Sequence, residues 1–218
     1  MGVIGFYRKE IQNILKSLFY PCSMDVDSIK EYRQLLILII VGTIPTAIIA
    51  FGLRSLFEYS FYDFFLLSIG FFISGIFLWV SRYFKAGNKE LGIVDSIIIG
   101  IAQGFSVFSS ISRSGITISI GMIRKVDHHK LVRYSFLLSI PAIFGASIFD
   151  FLLMDERSFL EIGKIGIFSY LVGIISSAIV GYLSIKLLIN IINKGSFYYF
   201  SYYCLVLGAI LLIISFVF

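Results

Sequence analysis

The stretch IVDSIIIGIAQGFSVFSSISRSGITISIGMI, from Ile93 to Ile123, decides the fold of this chain. Its 31 residues are too many for one ordinary membrane-spanning helix of about 20 mostly apolar residues, and too few for two. A polar run, FSSISRSG from Phe108 to Gly115, lies in its middle and cannot face lipid. The segment therefore either crosses the membrane once around a polar break, or enters the membrane and returns to the same side.

The whole chain has the composition of a membrane protein. Of its 218 residues 58% are hydrophobic and 14% are charged, whereas a soluble domain is about 25% charged. Apolar runs near bilayer length alternate with short charged islands, which predicts an all-α integral membrane protein with a single domain over residues 1–218. Residues 1–34 are predicted to form a polar, cytoplasmic N-terminal segment. The predicted spans are Leu35–Leu53, Phe61–Val80, Tyr134–Leu153, Ile165–Leu188 and Phe197–Phe218.

The distribution of Lys and Arg chooses between the two topologies of the segment 93–123. If the segment crosses once, the loop cations divide 10 against 7; if it returns, they divide 14 against 3, with only Arg54, Arg157 and Lys164 on the second side. Positive residues concentrate on the cytoplasmic side, so the second division predicts five transmembrane helices plus one re-entrant helix-loop-helix. The net charge of +5 is then explained by cytoplasmic loops, and no nucleic-acid partner is expected.

The polar run contains a candidate anion site centred on Arg113. A charged residue at membrane depth costs at least about 2.5 kcal/mol on insertion scales, so it indicates function. Arginine offers a planar fork that matches two phosphate oxygens, and hydroxyl groups add further donors. The helix that follows points its N-terminal amides at the same place. The alternative is a structural arginine paired with a buried carboxylate. The other residues of the candidate site are Gln103, Ser109, Ser110, Ser112, Ser114, Gly115 and Thr117.

The run from Gly100 to Thr117, GIAQGFSVFSSISRSGIT, resembles the second motif of the undecaprenyl pyrophosphate phosphatase family, a glutamine followed by Pro-Gly-x-Ser-Arg-Ser-Gly-x-Thr. Tyr134–Ala146 is similar to the family's next helix. The resemblance implies a cell-membrane enzyme, linked to bacitracin resistance, that hydrolyses a polyprenyl diphosphate to the monophosphate and so recycles a lipid carrier. It implies a catalytic role for Arg113, Ser112, Ser114 and Thr117, and substrate contacts for Gln103, Ser110 and Gly115. It also implies a divalent cation, Mg²⁺ or Ca²⁺.

Two features depart from the family pattern. Ser109-Ser110 replaces the family's Pro-Gly. The family's first motif, with paired acidic residues, serines and a histidine, has no match, and Met1–Glu10 resembles the end of the helix after it, so the chain is expected to begin beyond that motif. No metal ligands are identifiable, and Cys22 and Cys204 suggest neither a disulfide nor a metal site. The remaining candidates for a general base are Asp63, Asp95, Asp150, His128 and His129.

Two other functions stay open at this point. A broken helix that aims its N-terminus at an anion near the membrane midplane is also typical of a transporter or flippase for a lipid-linked or small phosphate. A catalytically incomplete homologue of the phosphatase family is the second alternative.

Overall fold

The computed structural model describes residues 2–19, 25–55, 63–84, 87–108, 110–153 and 167–217. No β-strand occurs in these ranges, and helices account for most of them. The helices are α1 (Gly2–Phe6), α2 (Arg8–Phe19), α3 (Val26–Gly52), α4 (Phe64–Ser81), α5 (Ile93–Phe105), α6 (Arg113–Ile123), α7 (His128–Leu152), α8 (Ile167–Asn193) and α9 (Phe200–Val217), the last preceded by a 3₁₀ turn at Phe197–Tyr199.

The five predicted spans are confirmed as five helices that are long and apolar enough to cross a membrane. Two of them begin earlier than hydropathy indicated: α3 starts at Val26 and α7 at His128. The added turns are polar, and in α3 they stay helical because Lys30, Glu31 and Arg33 have high helix propensity. The predicted ends Phe61, Ile165 and Phe218 lie outside the described residues.

The chain forms two compact units. The first comprises Met1–Arg33 and Ser139–Asn190, and the second comprises Gln34–Leu138 and Ile191–Phe218. Within the first unit the backbones of Gly2 and Gly181 approach so closely that a Cβ on Gly2 would lie 2.7 Å from the carbonyl carbon of Gly181. The re-entrant segment, which contains the candidate anion site around Arg113, belongs to the second unit.

Within the second unit the segment 93–123 is a helical hairpin. Helices α5 and α6 rise only about 20 Å and 17 Å, less than the roughly 30 Å of the hydrocarbon core, so neither can span it. The chain entering α5 pairs with the chain leaving α6: Lys89 N donates to Lys125 O at 3.2 Å, and Asp127 N donates to Lys89 O at 2.9 Å. Both ends of the hairpin therefore lie together, as the re-entrant prediction requires.

Helices α3 and α7 hold the hairpin from the side of α5 through short polar contacts. A Cβ on Gly100 of α5 would lie 2.2 Å from the carbonyl oxygen of Gly42 in α3, so only glycine fits this crossing. Thr46 Oγ1 donates to Gly100 O at 2.8 Å across the same contact. Ser96 of α5 shares a hydrogen bond of 2.7 Å with the Tyr134 hydroxyl of α7. Such interhelical hydrogen bonds and small-residue crossings are the usual means of helix association in lipid.

Candidate active site

Arg113 is the first residue of α6, at the turn of the hairpin. Ser112 caps the helix, and its Oγ accepts a hydrogen bond from Gly115 N at 3.2 Å. A Cβ on Gly115 would lie only 2.7 Å from that Oγ, so a side chain there would disturb the cap. The first amides of a helix lack partners within the helix, and they carry the positive end of its dipole. This end of α6 therefore combines an arginine with an amide site of the kind that binds phosphate.

Small residues of α4 anchor the turn. Ser74 Oγ accepts a hydrogen bond from Ser112 N at 2.9 Å. Ser110 is buried against Gly70, where an added Cβ would lie 2.0 Å from Ser110 Oγ. These small residues fix the loop that carries Arg113. Ser109 lies outside the described residues.

The structure gives no support to the structural alternative for Arg113. Its side chain is partly buried and forms no ion pair within the described ranges. Asp95, the acidic residue of the hairpin, pairs instead with Lys89 and Arg124. The guanidinium of Arg113 therefore keeps its hydrogen-bonding capacity for a ligand.

Thr117 and Gln103 are more fully buried inside the protein than the sequence suggested. Thr117 is 0% exposed, and its Oγ1 donates to Arg113 O at 2.8 Å and lies 2.6 Å from Ser135 Oγ of α7. Gln103 is 1% exposed, and its Nε2 donates to Leu138 O at 3.2 Å. These hydrogen bonds connect α5 and α6, the two helices of the hairpin, to α7. Gln103 and Thr117 are therefore buried between the hairpin and α7 and support the turn that carries Arg113.

Gln103 also carries an unusual feature. Its Oε1 is buried and has no hydrogen-bond partner among the described residues. A buried acceptor without a partner costs about 1–3 kcal/mol, so such groups call for an explanation. A donor supplied by a ligand or by water would satisfy it, which is consistent with the substrate contact that the sequence resemblance implied.

Asp95 holds the two ends of the hairpin together. Its carboxylate accepts from Lys89 Nζ and Arg124 Nε, each at 2.7 Å, and from Gly92 N at 3.1 Å. Burial acts to raise the pKa of Asp95, but the hydrogen bonds from Lys89 and Arg124 outweigh it and hold that pKa below its ordinary value. The sequence offered Asp95 as a candidate base, whereas the structure places it in this ion cluster. The sequence does contain a signal for this ion cluster: Asp95 is a lone carboxylate at the start of an apolar helix, and cations flank the hairpin on both sides.

None of the other candidate bases is placed beside Arg113 by a described contact. Asp63 caps α4 by accepting from Phe65 N at 2.8 Å, and His128 is the first residue of α7. No group of three or more His, Cys, Asp or Glu side chains that could hold a metal ion occurs among the described residues. The hydroxyls around Arg113 alone do not match the carboxylate-rich site that Mg²⁺ or Ca²⁺ prefers. The described residues therefore do not fit the implied divalent cation.

An apolar cleft lies next to the turn. It has a volume of about 450 Å³ and is bounded by α4, α5 and α6. Phe108 and Ile111, which belong to the turn itself, form part of its wall, and so does Ile116 of α6. The same short segment thus presents an arginine and helix amides in one place and the wall of an apolar cleft beside them. This combination suits an amphipathic ligand with an anionic head and an apolar tail.

Known proteins match this chain over most of its length. The family described as bacitracin resistance protein BacA matches residues 1–210. A Carboxydothermus hydrogenoformans protein named undecaprenyl-diphosphatase is 38% identical over 193 residues, covering 85% of this chain and 72% of the relative. Proteins of the same name from Korarchaeum cryptofilum and Methanosphaera stadtmanae are 32% and 34% identical, covering 97% and 99% of this chain and 79% and 80% of the relatives.

The matches extend well beyond the motif around Arg113, across the spans on both sides of the hairpin. With its five apolar helices the chain is a multi-pass membrane protein. On the extent of these matches, the chain belongs to the bacitracin resistance protein BacA family.

Proposed function

We propose that this protein hydrolyses undecaprenyl diphosphate to undecaprenyl monophosphate and inorganic phosphate. The observation that carries the proposal is Arg113, which lies at the N-terminus of α6 without an ion-pair partner in the described part of the chain. Relatives covering most of the chain carry the name undecaprenyl-diphosphatase. The resulting activity is that of a hydrolase acting on a phosphoric anhydride in the membrane.

In this reaction the oxygen of a water molecule bonds to the terminal phosphorus and the water gives up a proton to the surrounding solvent. The bond from that phosphorus to the bridging oxygen breaks, and undecaprenyl monophosphate leaves with that oxygen. Negative charge is spread over the equatorial oxygens of the transferred group in the transition state. We assign the stabilisation of that charge to the Arg113 fork and to the first amides of α6, with Ser114 as a further hydroxyl donor. Ser112, Thr117 and Gly115 keep this end of the helix in place through its cap and its packing.

We assign the isoprenoid tail of the substrate to the apolar cleft beside the turn. Its wall includes Phe108 and Ile111, so a tail lying there places the diphosphate next to the N-terminus of α6. The cleft surrounds such a tail with apolar side chains much as the lipid does, so it accommodates a lipid diphosphate and offers a small soluble diphosphate no matching contact. A requirement for Mg²⁺ or Ca²⁺ remains part of the proposal, but no step is assigned to the cation because the described residues offer it no ligand set.

The decisive experiment is phosphate release from undecaprenyl diphosphate by the purified full chain in detergent. We expect release by the wild type, inhibition by a chelator, and a loss of about 10²–10³-fold in Arg113→Ala, the usual effect of removing a donor to a developing oxyanion. Arg113→Lys should recover little, because an ammonium group cannot reproduce the fork. Lys125→Gln, which removes an exposed cation of the same chain, is the matched control and should keep the wild-type rate.

Thermal unfolding separates loss of function from loss of fold. Both Arg113 variants should unfold at the wild-type temperature without ligand, and only the wild type should be stabilised by the diphosphate. An Arg113→Ala protein that is folded and fully active would overturn the proposal. Stabilisation of the wild type by the ligand without phosphate release would instead indicate a transporter, a flippase or a catalytically incomplete homologue.

A further inference from the structure

A second cavity lies at the opposite end of the hairpin from Arg113, where the two hairpin ends pair. It has a volume of about 290 Å³. It is bounded by Arg82 and Phe84 after α4, by Met122 near the end of α6 and by His128 at the start of α7. The other lining residues are Ser81, Ile192, Asn193, Gly195, Phe197 and Tyr198. The cations Lys89, Arg124 and Lys125 lie at this same end, so the distribution of positive charge places the cavity on the cytoplasmic side.

Arg82 gives this cavity a positive charge that no described residue neutralises. Its guanidinium carbon lies 4.6 Å from the ring centre of Trp79, 5.2 Å from that of Tyr83 and 5.4 Å from that of Tyr198. An arginine held over aromatic rings keeps its in-plane N–H groups available for hydrogen bonds. No ion pair to Arg82 occurs in the described ranges, and no acidic side chain lines the cavity.

His128 adds a polar group that lacks a partner. Its Nε2 is shielded from solvent and makes no hydrogen bond to any described residue. The hydroxyl of Ser81, in contrast, is already used, because it donates to Leu78 O at 2.7 Å. Among the described residues, the lining therefore offers a guanidinium and an imidazole Nε2 without a hydrogen-bond partner and contains no carboxylate; the charge of Asp127, outside the lining, acts on His128. Such a set matches an anion.

The surroundings identify the depth of the cavity in the membrane. Trp79 packs edge-on against Tyr202 with ring centres 5.4 Å apart, and Tyr198 stacks on Tyr199 at 4.4 Å. Tyr199 and Tyr202 are 57% and 47% exposed. Clusters of Trp and Tyr mark the headgroup level of a bilayer. Basic pockets between transmembrane helices on the cytoplasmic side are a recognised form of lipid headgroup site.

We propose that this cavity binds the phosphate of an anionic phospholipid from the cytoplasmic leaflet. The Arg82 guanidinium contacts the phosphate oxygens, His128 donates a further hydrogen bond, and the exposed tyrosines contact the glycerol and upper acyl region. Soluble phosphate shares the anionic chemistry, but it leaves the aromatic surface uncovered. The proposal does not depend on the activity assigned to Arg113, which lies at the other end of the hairpin.

The test compares three probes on the full chain in a neutral detergent: phosphatidylglycerol, phosphatidylcholine and sodium phosphate. We expect phosphatidylglycerol to raise the unfolding temperature of the wild type, and the other two probes to leave it unchanged. In Arg82→Gln the affinity for phosphatidylglycerol should fall by about tenfold to a hundredfold, the range for loss of charge-assisted hydrogen bonds. Lys125→Gln removes an equal charge at the same end without lining the cavity, and it should bind as the wild type does.

Each other outcome overturns the proposal. An equal loss in Lys125→Gln would mean general attraction of the basic face to anionic lipid. Stabilisation by sodium phosphate with the same dependence on Arg82 would mean a site for a soluble anion. If Arg82→Gln does not fold, Arg82→Lys keeps a cation over the rings and His128→Phe keeps the ring volume. If Arg82→Lys and His128→Phe both fold and bind phosphatidylglycerol as tightly as the wild type does, the proposed site is also excluded.

Discussion

The position of the turn that carries Arg113 depends on the contact between Gly70 and Ser110. Gly70 has no Cβ, and this lets Ser110 lie directly against α4. A Cβ at Gly70 would lie 2.0 Å from Ser110 Oγ and 3.0 Å from Ser110 Cβ, so an alanine there must move the Ser110 side chain and crowds the loop that carries it. Ser74, one helical turn further along α4, holds the next residues of the loop through Ser112 N. The position of Arg113 therefore depends on small side chains in a helix distant in sequence.

We expect Gly70→Ala to lower hydrolysis by at least about tenfold, because misplacing a catalytic group by about 1 Å costs up to 10²-fold. The variant Gly70→Ala with Ser110→Gly removes the two atoms nearest to the new methyl group, and it should recover most of the rate. Ser110→Gly alone, which introduces the glycine of the family pattern, is the control and should stay active. A double variant no better than Gly70→Ala would show that the clash with Ser110 is not the cause.

At the scale of the element, the hairpin is closed by Asp95. The carboxylate is 1% exposed and bridges Lys89 before α5 and Arg124 after α6, whose side chains are 46% and 35% exposed. A second pair, between Lys130 and Glu90, lies on the surface of the same region, and the Glu90 side chain is 73% exposed. The buried Asp95 and the exposed Glu90 can therefore be compared for their contributions to stability in the same region of the protein.

We expect Asp95→Asn to destabilise the protein by about 1–3 kcal/mol at pH 7, below the 3–5 kcal/mol typical of a fully buried pair because its partners are part exposed. Glu90→Gln should cost less than about 1 kcal/mol. Folding lowers the pKa of Asp95 below its ordinary value of 3.8, so its contribution is fully present above about pH 4 and is lost as the pH falls through the lowered pKa.

The measurement is thermal unfolding of the wild type and both variants between pH 7 and pH 3. The difference in unfolding temperature between the wild type and Asp95→Asn should become smaller only in the most acidic part of this range. If Asp95→Asn and Glu90→Gln lower the unfolding temperature by equal, small amounts across the whole pH range, Asp95 does not hold the two ends of the hairpin together.

At the scale of the whole molecule, the paired ends of the hairpin determine the topology. Lys89 is bridged to Val126, and Lys130 contacts Glu90, so the two lysines lie at one end of the second unit. Since a charge division of 14 against 3 favours a cytoplasmic location for this end, both lysines should be inaccessible from outside the cell.

Cysteine labelling tests this expectation in a background that lacks Cys22 and Cys204. In intact cells a membrane-impermeant thiol reagent should label neither Lys89→Cys nor Lys130→Cys, and both should react after permeabilisation. Arg54→Cys, one of the three cations predicted on the outer side, is the control and should react in intact cells. Labelling of one lysine position but not the other in intact cells would exclude the re-entrant topology.

The amino-acid sequence by itself determined the five spans, the re-entrant hairpin and the candidate anion site at Arg113. Hydropathy, Lys/Arg asymmetry and the placement of a charge in an apolar run are properties of neighbouring residues, so they are readable without coordinates. Only the tertiary structure decided which groups support that arginine. The contacts of Ser74 with Ser112, of Gln103 with Leu138 and of Asp95 with Arg124 join residues that are 29 to 38 positions apart. Local pattern cannot predict such contacts, because they depend on which faces of the helices meet after packing.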